Sequence, residues 1–492
     1  MKASSKTIVT LLVLLGLTAT LLAGCGGSGD SGSKGSSSPA AENGGGGDAP
    51  ISFKIASWAG PGKKAGLDLA IAEYKKIKPN VTISFEEVAQ NNADFDVWMA
   101  AQLAGNQEPE VIMDFSYDLP YTKYNDKGYN VLEMDPYLEK ISPYTNQKWG
   151  ESFREVDLNL MRSTRNGKLN NIATSMVTLK IAYNKDMYDR LGLKAPRTFP
   201  EMIANFEAIR QANIGAEPFS GFLKVTSAWD WFARFTAQQT QEQYVSQIDS
   251  LYKNNKYEQN EYVRAVDEGI IDVNKPEVRG LYELFKQFTS YWAPGAMAMT
   301  MAEARDMWLQ GKAAHTFTIN IDAKPFASDM KPPFNWDTFE FPVITKDIAP
   351  TSNEDPAEFG DLADAFVVMP SAIKKNIQDE VMDFIMFYTS PAIATQLADM
   401  NWITPTASGI EPNANLERYL PKYRPQNQID LNSQAILGTN ARQFVLQQIQ
   451  RYVLNDITTD QLVELIDKNM KEEAEKIKQE KGWSKDNNYG NK

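Results

Sequence analysis

Residues 51–85 have the sequence ISFKIASWAGPGKKAGLDLAIAEYKKIKPNVTISF, and this stretch indicates the fold class. Apolar and polar residues alternate from Ile51 to Ile55 and again from Val81 to Phe85, which predicts two strands. Between them apolar residues recur at helical spacing, and the helix should end before Pro79, since proline lacks the amide hydrogen that a helix interior needs. A strand–helix–strand unit predicts a mostly parallel α/β sheet with a ligand crevice at the carboxyl ends of its strands.

Helix start signals recur later in the chain. Thr198 and Glu201 have the spacing of a capping box, and so do Thr458 and Gln461. A further helix is expected to begin at Asn376 and to continue through the apolar residues that follow it. These signals extend the alternation of strands and helices over most of the chain.

The N-terminus has the features of an export signal. Lys2 and Lys6 precede an apolar run over residues 8–22, and small residues then lead to Cys25, the only cysteine in the chain. This order predicts a signal peptide over residues 1–24. Leu22-Ala23-Gly24-Cys25 resembles a bacterial lipobox, which implies that Cys25 carries a lipid after cleavage. The alternative is an ordinary signal peptide that happens to end near a cysteine.

The composition of the chain after the predicted signal peptide indicates a tether followed by a large globular part. Residues 25–50 contain mainly Gly, Ser, Ala and polar residues, which predicts a flexible tether. The remaining length suits two lobes. A single cysteine excludes an internal disulfide, so a large core must stabilise the fold, and 42% hydrophobic residues can supply it. The net charge of −13 argues against nucleic acid or an anionic lipid surface as a partner.

The sequence offers little for catalysis. Its single histidine, His315, excludes the usual multi-histidine zinc sites, and its surroundings predict a hydrogen-bonded, partly buried residue on a strand. No P-loop, dinucleotide-binding glycine motif, nucleophile elbow or EF-hand loop occurs. We therefore predict no catalytic residues, no cofactor and no metal ligands. A glycoside hydrolase that uses two of the 63 acidic residues remains an alternative.

Several segments, in order, resemble the extracellular solute-binding proteins of family 1, which includes maltose-binding-type receptors of ABC importers. The resemblance covers nearly all of the chain after the tether. The segments are Leu103-Ala104-Gly105 with Pro109-Glu110-Val111-Ile112, then Asn166-Gly167-Lys168-Leu169, then Tyr183-Asn184-Lys185-Asp186 with Leu191-Gly192-Leu193, Pro196 and Thr198, then Gly311-Lys312-Ala313-Ala314, and finally Ser390-Pro391.

The resemblance implies a type II periplasmic-binding-protein-like α/β fold, with two lobes, multiple crossover strands and a ligand cleft between the lobes. Chain position then suggests an N-terminal lobe over residues 51–171 plus 362–408 and a C-terminal lobe over residues 172–361 plus 409–492. It also implies a non-catalytic receptor that delivers its solute to ABC importer permease subunits. We expect a monomer, anchored by the lipid on Cys25 to the extracytoplasmic face of the cell membrane.

Aromatic and acidic residues near predicted strand ends and crossovers are the candidate ligand-binding residues. Sugars present C–H faces that stack on aromatic rings and hydroxyls that need polar partners. The candidates are Trp58, Asp114, Phe115, Trp229, Asp230, Trp231, Asn320, Asp322, Asp361 and Trp402. Trp149, Trp292, Trp308 and Trp336 have no such positional argument.

These residues favour a neutral oligosaccharide over a peptide, a metal ion or an amino acid. A metal site would need His and Cys ligands, and an amino-acid receptor would need an arginine for the carboxylate that no motif locates. A peptide or another non-sugar solute stays open as an alternative ligand, and a purely structural or adhesive surface lipoprotein is a further alternative.

Overall fold

The computed structural model describes residues 49–60, 62–90, 92–114, 124–125, 128–163, 166–224, 227–253, 257–357, 359–420 and 431–491. The predicted signal peptide, Cys25 and Phe115 lie outside the described residues, and so does the predicted tether up to residue 48. Residues 49–492 belong to one compact unit. In the part of the chain that the structure describes, no helix has the length and apolar character of a membrane span.

The described strands form one mixed sheet in the order β2-β1-β3-β8-β4-β6-β5, and β7 and β9 pair with β4. The strands are β1 (Ile51–Trp58), β2 (Val81–Ala89), β3 (Val111–Asp114), β4 (Ile172–Asn184), β5 (Glu217–Phe219), β6 (Ala313–Ile319), β7 (Trp336–Phe339), β8 (Phe359–Val368) and β9 (Thr404–Pro405).

Helices cover the sheet and build most of the second half of the chain. They are α1 (Lys63–Ile77), α2 (Asn92–Ala104), α3 (Asp135–Leu138), α4 (Glu155–Met161), α5 (Lys185–Leu191), α6 (Phe199–Ala212), α7 (Ser227–Thr240), α8 (Glu242–Ile248), α9 (Gln259–Asp267), α10 (Pro276–Thr289), α11 (Met301–Leu309), α12 (Ala323–Ala327), α13 (Pro370–Lys374), α14 (Gln378–Tyr388), α15 (Pro391–Asn401), α16 (Thr439–Val453) and α17 (Thr459–Lys481). Short 3₁₀ turns include Asn320–Asp322 and Ala414–Tyr419.

The strand–helix–strand unit predicted from residues 51–85 is confirmed as β1, α1 and β2, and β1 pairs with β2 in parallel. The expectation of a mostly parallel sheet is wrong. β8 is antiparallel to both β3 and β4, and β4 is antiparallel to β6. The reason is topological: β4 carries the chain out of the first half of the molecule and β8 brings it back, so the two strands run in opposite directions.

Both predicted capping boxes are confirmed, because the hydroxyl groups of Thr198 and Thr458 each accept a hydrogen bond from a backbone amide of the first helical turn. The helix expected to begin at Asn376 begins instead at Gln378. Asn376 has a φ of 55°, a left-handed conformation that cannot be part of a right-handed helix.

The apolar side chains form two large cores. The first core contains Phe53, Phe366 and Phe384 among its buried residues, and the second contains Phe219 and Phe317. Strand β4 contributes to both: its N-terminal half packs in the first core and its C-terminal half in the second. This shared strand gives the two-lobe architecture with crossover strands that the sequence led us to expect.

Candidate ligand-binding site

Two strand ends, those of β1 and β3, meet the middle of β8 at one edge of the first lobe. Ser57 on β1 pairs with Met113 on β3, so Trp58 and Asp114 follow at the next position of neighbouring parallel strands. Asp114 in turn pairs with Ala365 on β8. Trp58 is partly exposed, whereas Asp114 is only 3% exposed. The structure therefore brings these two predicted residues to the same edge of the sheet.

A lysine that sequence reasoning missed completes this edge. Lys63, in the first turn of α1, places its ammonium 3.8 Å from the centroid of the Trp58 ring. The ammonium also donates a hydrogen bond of 3.0 Å to the Ser57 hydroxyl and lies 3.3 Å from a carboxylate oxygen of Asp364. The only sequence signal for Lys63 is its place directly after the glycine-rich loop that follows Trp58.

Asp364 was also missed, and no local pattern marks it. It lies in the middle of β8, and its side chain is 30% exposed. One carboxylate oxygen faces Lys63, and the other accepts a hydrogen bond of 3.3 Å from the hydroxyl of Ser175 on β4. Asp364 is thus an accessible acidic group next to Trp58, contributed by a strand that crosses between the lobes.

The Trp229-Asp230-Trp231 segment opens helix α7 in the second lobe. Trp229 is 1% exposed, and its ring stacks on Tyr282 at 5.6 Å within the second core. The core therefore covers the Trp229 ring, and its contact with a ligand stays a prediction that this burial does not favour. Trp231 is partly exposed and packs edge-on against Phe222 and Phe317, each with its ring centroid 5.6 Å away.

Asp230 is 3% exposed and forms an ion pair with Arg442 of α16. The guanidinium Nε donates to the carboxylate at 3.0 Å, so the negative charge is compensated inside the lobe. The contact of Asp230 with the ligand stays a prediction that this ion pair does not favour. Of the three residues in the segment, Trp231 alone presents a partly exposed side chain.

Asn320 and Asp322 lie in the 3₁₀ turn that directly follows β6, and they are buried, at 2% and 3% exposure. The Asn320 side chain accepts a hydrogen bond from the Thr178 amide at 3.1 Å and donates one to the Met176 carbonyl at 2.8 Å. Both backbone groups belong to β4, so this amide extends the β4–β6 ladder by one step after the β6 backbone turns away. Asn320 therefore supports the crossover strand, and its contact with a ligand stays a prediction.

Asp322 has an internal role as well. Its carboxylate accepts hydrogen bonds from Arg305 at 2.7 Å and from the Thr318 hydroxyl at 3.0 Å. These partners engage both carboxylate oxygens of Asp322, and its contact with a ligand stays a prediction, as for Asn320. Burial, followed by the charge of Asp322, raises the pKa of the neighbouring Tyr419 hydroxyl above its usual range.

Trp402 ends helix α15 in a left-handed conformation with a φ of 53°. It is partly exposed and packs against a small cluster that includes Leu416 and Tyr419. The residue before it, Asn401, donates a hydrogen bond of 3.0 Å to the carbonyl of Gly62, next to Lys63. Trp402 thus lies beside the crossover strands.

Two further predicted residues are less fully described. The backbone of Asp361 pairs with Val177 on β4, which places it on a crossover strand as expected, but its side chain lies outside the description. Phe115 follows Asp114 outside the described residues. Among the residues the structure does describe, no three His, Cys, Asp or Glu side chains come together in a way that could hold a metal ion.

His315 lies on a strand, β6, as its surroundings in the sequence predict, but it is fully buried and not partly buried as expected. One ring nitrogen lies 2.6 Å from the Pro218 carbonyl, which can only accept, and the other lies 2.6 Å from the Tyr188 hydroxyl. Burial lowers the pKa of the imidazole to about 4. This histidine is therefore a neutral residue of the core, with both nitrogens paired.

Solved structures similar to this chain are binding proteins. A chitin oligosaccharide binding protein is 16% identical, with a TM-score of 0.65 over 86% of this chain and 98% of its own. The cyclic α-maltosyl-1,6-maltose binding protein from Arthrobacter globiformis is 14% identical, with a TM-score of 0.64 over 87% and 100% of the two chains. An ABC substrate-binding protein from Listeria monocytogenes in complex with cycloalternan is 17% identical, with a TM-score of 0.57 over 89% and 100%.

At these identities the likeness establishes the fold alone. No curated protein sequence matches the chain significantly. The model of one protein family, described as bacterial extracellular solute-binding protein, matches residues 59–395, which is more than half of the chain. This match begins directly after β1 and includes both crossover strands, β4 and β8. The chain therefore belongs to the bacterial extracellular solute-binding protein family.

Proposed function

We propose that this protein is the solute receptor of an ABC importer and that its ligand is an oligosaccharide. The observation that carries the proposal is the edge of the first lobe, where the partly exposed Trp58 ring lies beside the accessible carboxylate of Asp364. An aromatic face next to hydrogen-bond acceptors suits the C–H face and the hydroxyls of a sugar ring. The carbohydrate ligands named for the similar structures support the same solute class.

The two cores support the proposed lobe boundaries. Residues 51–171 plus 362–408 would form the first lobe, and the first core draws its buried members from 53–176 and 362–397. Residues 172–361 plus 409–492 would form the second lobe, and the second core draws on 179–357 and 431–489. A ligand that contacts both lobes would favour their closed arrangement by its higher affinity for that state.

Calorimetry and a glycan array test the proposal on a fragment that begins at Ile51. Replacing Trp58 or Trp231 by alanine is expected to weaken binding at least about tenfold, the scale of one good stacking contact. Tyr252→Ala is the matched control, since Tyr252 is an exposed aromatic residue away from the strand ends. A fragment that binds no glycan but captures a peptide or a metal ion would overturn the sugar assignment.

Lobe closure has its own measurement. Small-angle X-ray scattering of the same fragment is expected to give a smaller radius of gyration when the glycan is saturating, and a single monomeric mass with and without it. A radius of gyration that does not change at saturation would contradict closure while leaving the binding result intact.

The proposal includes the membrane anchor. A lipid on Cys25 would hold the receptor on the extracytoplasmic face of the membrane, where permease subunits could take over the solute. Cys25→Ala is expected to abolish incorporation of a fatty-acid analogue and to leave the precursor uncleaved or release the protein to the medium. Equal labelling of the native chain and the variant would refute the anchor.

A further inference from the structure

The backbone of Asp364 has an unusual conformation for its position. Its φ is 51°, and in the strands that the structure describes no other non-glycine residue has a positive φ. Residues with side chains avoid this region because the Cβ atom crowds the backbone, and such outliers are concentrated at functional sites.

The pairing of β8 with β4 is interrupted at this residue. Ala363 pairs with Ser175 and Ala365 pairs with Ala173, but Asp364 has no paired residue on β4. The Thr174 hydroxyl instead donates a hydrogen bond of 2.9 Å to the Asp364 carbonyl. The local turn of the backbone therefore points the Asp364 side chain away from the regular ladder and toward Lys63.

In the described part of the chain, the neighbours of the Asp364 carboxylate leave some of its hydrogen-bond acceptor positions unoccupied. Among the described residues, one carboxylate oxygen lies 3.3 Å from the Lys63 ammonium and the other lies 3.3 Å from the Ser175 hydroxyl. A carboxylate can accept about four hydrogen bonds. Because the side chain is 30% exposed, a ligand hydroxyl can reach the remaining positions.

The ammonium of Lys63 compensates the negative charge of the Asp364 carboxylate. The side chain of Lys63 is only 3% exposed, and its ammonium lies between the Trp58 ring and the Asp364 carboxylate. A buried ammonium needs such a partner. One lysine thus holds an aromatic ring and an acidic acceptor side by side, in the arrangement that a pyranose ring with adjacent hydroxyls would contact.

We propose that Asp364 is a ligand-contacting residue whose carboxylate accepts hydrogen bonds from the hydroxyls of the sugar that stacks on Trp58. This inference rests on the proposed function and adds to it a specific acceptor on a crossover strand. It also implies selectivity for ligands with free hydroxyls at this position, because a carboxylate accepts hydrogen bonds from hydroxyls and repels an acidic group.

The test is Asp364→Asn, measured by calorimetry with chitotetraose, maltotetraose and cycloalternan. Asparagine tolerates the left-handed conformation and keeps the size of the side chain while it removes the charge. Affinity for each glycan that the native protein binds is expected to fall at least about tenfold. Glu354→Gln is the matched control, since Glu354 is also a left-handed acidic residue paired with a lysine, Lys346, but lies in the connection before β8.

Asp364→Asn combined with Lys63→Met distinguishes a direct contact of Asp364 with the ligand from an effect of Asp364 on the position of Lys63. In Lys63→Met the ammonium is gone, so any effect of Asp364→Asn that acts only through Lys63 must vanish. The proposal expects a further loss of affinity of about fivefold or more in this background. The double variant also avoids an unpaired buried charge, so it provides a folded protein if a single variant unfolds.

The outcomes are distinct. Native affinity in a folded Asp364→Asn variant, or no further loss in the Lys63→Met background, would overturn the role of Asp364 while sugar binding stands. A native protein that binds none of the three glycans would count against the proposed function and against this contact together.

Discussion

Lowering the pH from 7 to 5 is expected to destabilise this protein through His315, the only histidine in the chain. The imidazole is fully buried between Pro218 and Tyr188, and burial lowers its pKa from 6.5 to about 4. Above pH 6.5 the ring is neutral in both the folded and the unfolded chain. As the pH falls below 6.5, the unfolded chain binds a proton that the folded protein does not bind until about pH 4.

The size of the effect follows from proton linkage. Each pH unit between the two pKa values lowers the free energy of unfolding by about 1.4 kcal/mol. Between pH 7 and pH 5 the loss is about 2 kcal/mol, and it reaches about 3 kcal/mol near pH 4, below which His315 contributes no further change. A loss of this size is a large fraction of the stability of a typical domain.

Urea unfolding at pH 7 and pH 5 measures the effect, with His315→Gln as the reference. The carboxyl groups are common to both proteins, so the difference between their pH dependences isolates the imidazole. Because the chain has a single histidine, proton NMR of the imidazole gives the folded-state pKa directly. An NMR midpoint near 6.5, or the same pH dependence in both proteins, would refute the reasoning.

Two substitutions test the packing that supports the site. Asn320→Ala removes the hydrogen-bond partners of two buried β4 backbone groups, the Thr178 amide and the Met176 carbonyl, and is expected to lower the free energy of unfolding in urea by about 2–6 kcal/mol. Asn415→Ala, at an exposed asparagine, is the control and should change the free energy of unfolding by less than about 0.5 kcal/mol. Gly221→Ala would place a Cβ atom 2.3 Å from the Trp292 ring and is expected to lower the melting temperature far more than Gly269→Ala. Gly269 has a similar positive φ, but no atom lies within 4 Å of the position of its Cβ. Equal decreases in melting temperature would contradict the clash with Trp292.

Local signals in the sequence predicted several elements correctly. Alternation and helical spacing predicted β1, α1 and β2, and side-chain spacing predicted both capping boxes. The ordered segments that resemble family 1 pointed to the family that the match over residues 59–395 then established. Each of these signals depends on residues a few positions apart, whose interactions are formed by the local backbone alone.

The candidate site was predicted less completely. Trp229 and Trp231 are two residues apart on one helix, so they had to point in different directions. Only the position of the second core shows that Trp229 faces inward and that Trp231 is partly exposed. In the same way, nothing local indicated that the Asn320 side chain would continue the β4–β6 ladder.

What the sequence by itself determined is the first alternating α/β elements, both capping boxes and the family resemblance, because these follow from composition and short-range spacing. Only the tertiary structure decided the mixed sheet, the inward or outward direction of each aromatic ring, and the meeting of Trp58, Lys63 and Asp364. Asp364 is distant from the other two in the chain and reaches them through the return of β8 to the first lobe. Such contacts depend on strand order and on burial in a shared core, which short-range patterns do not encode.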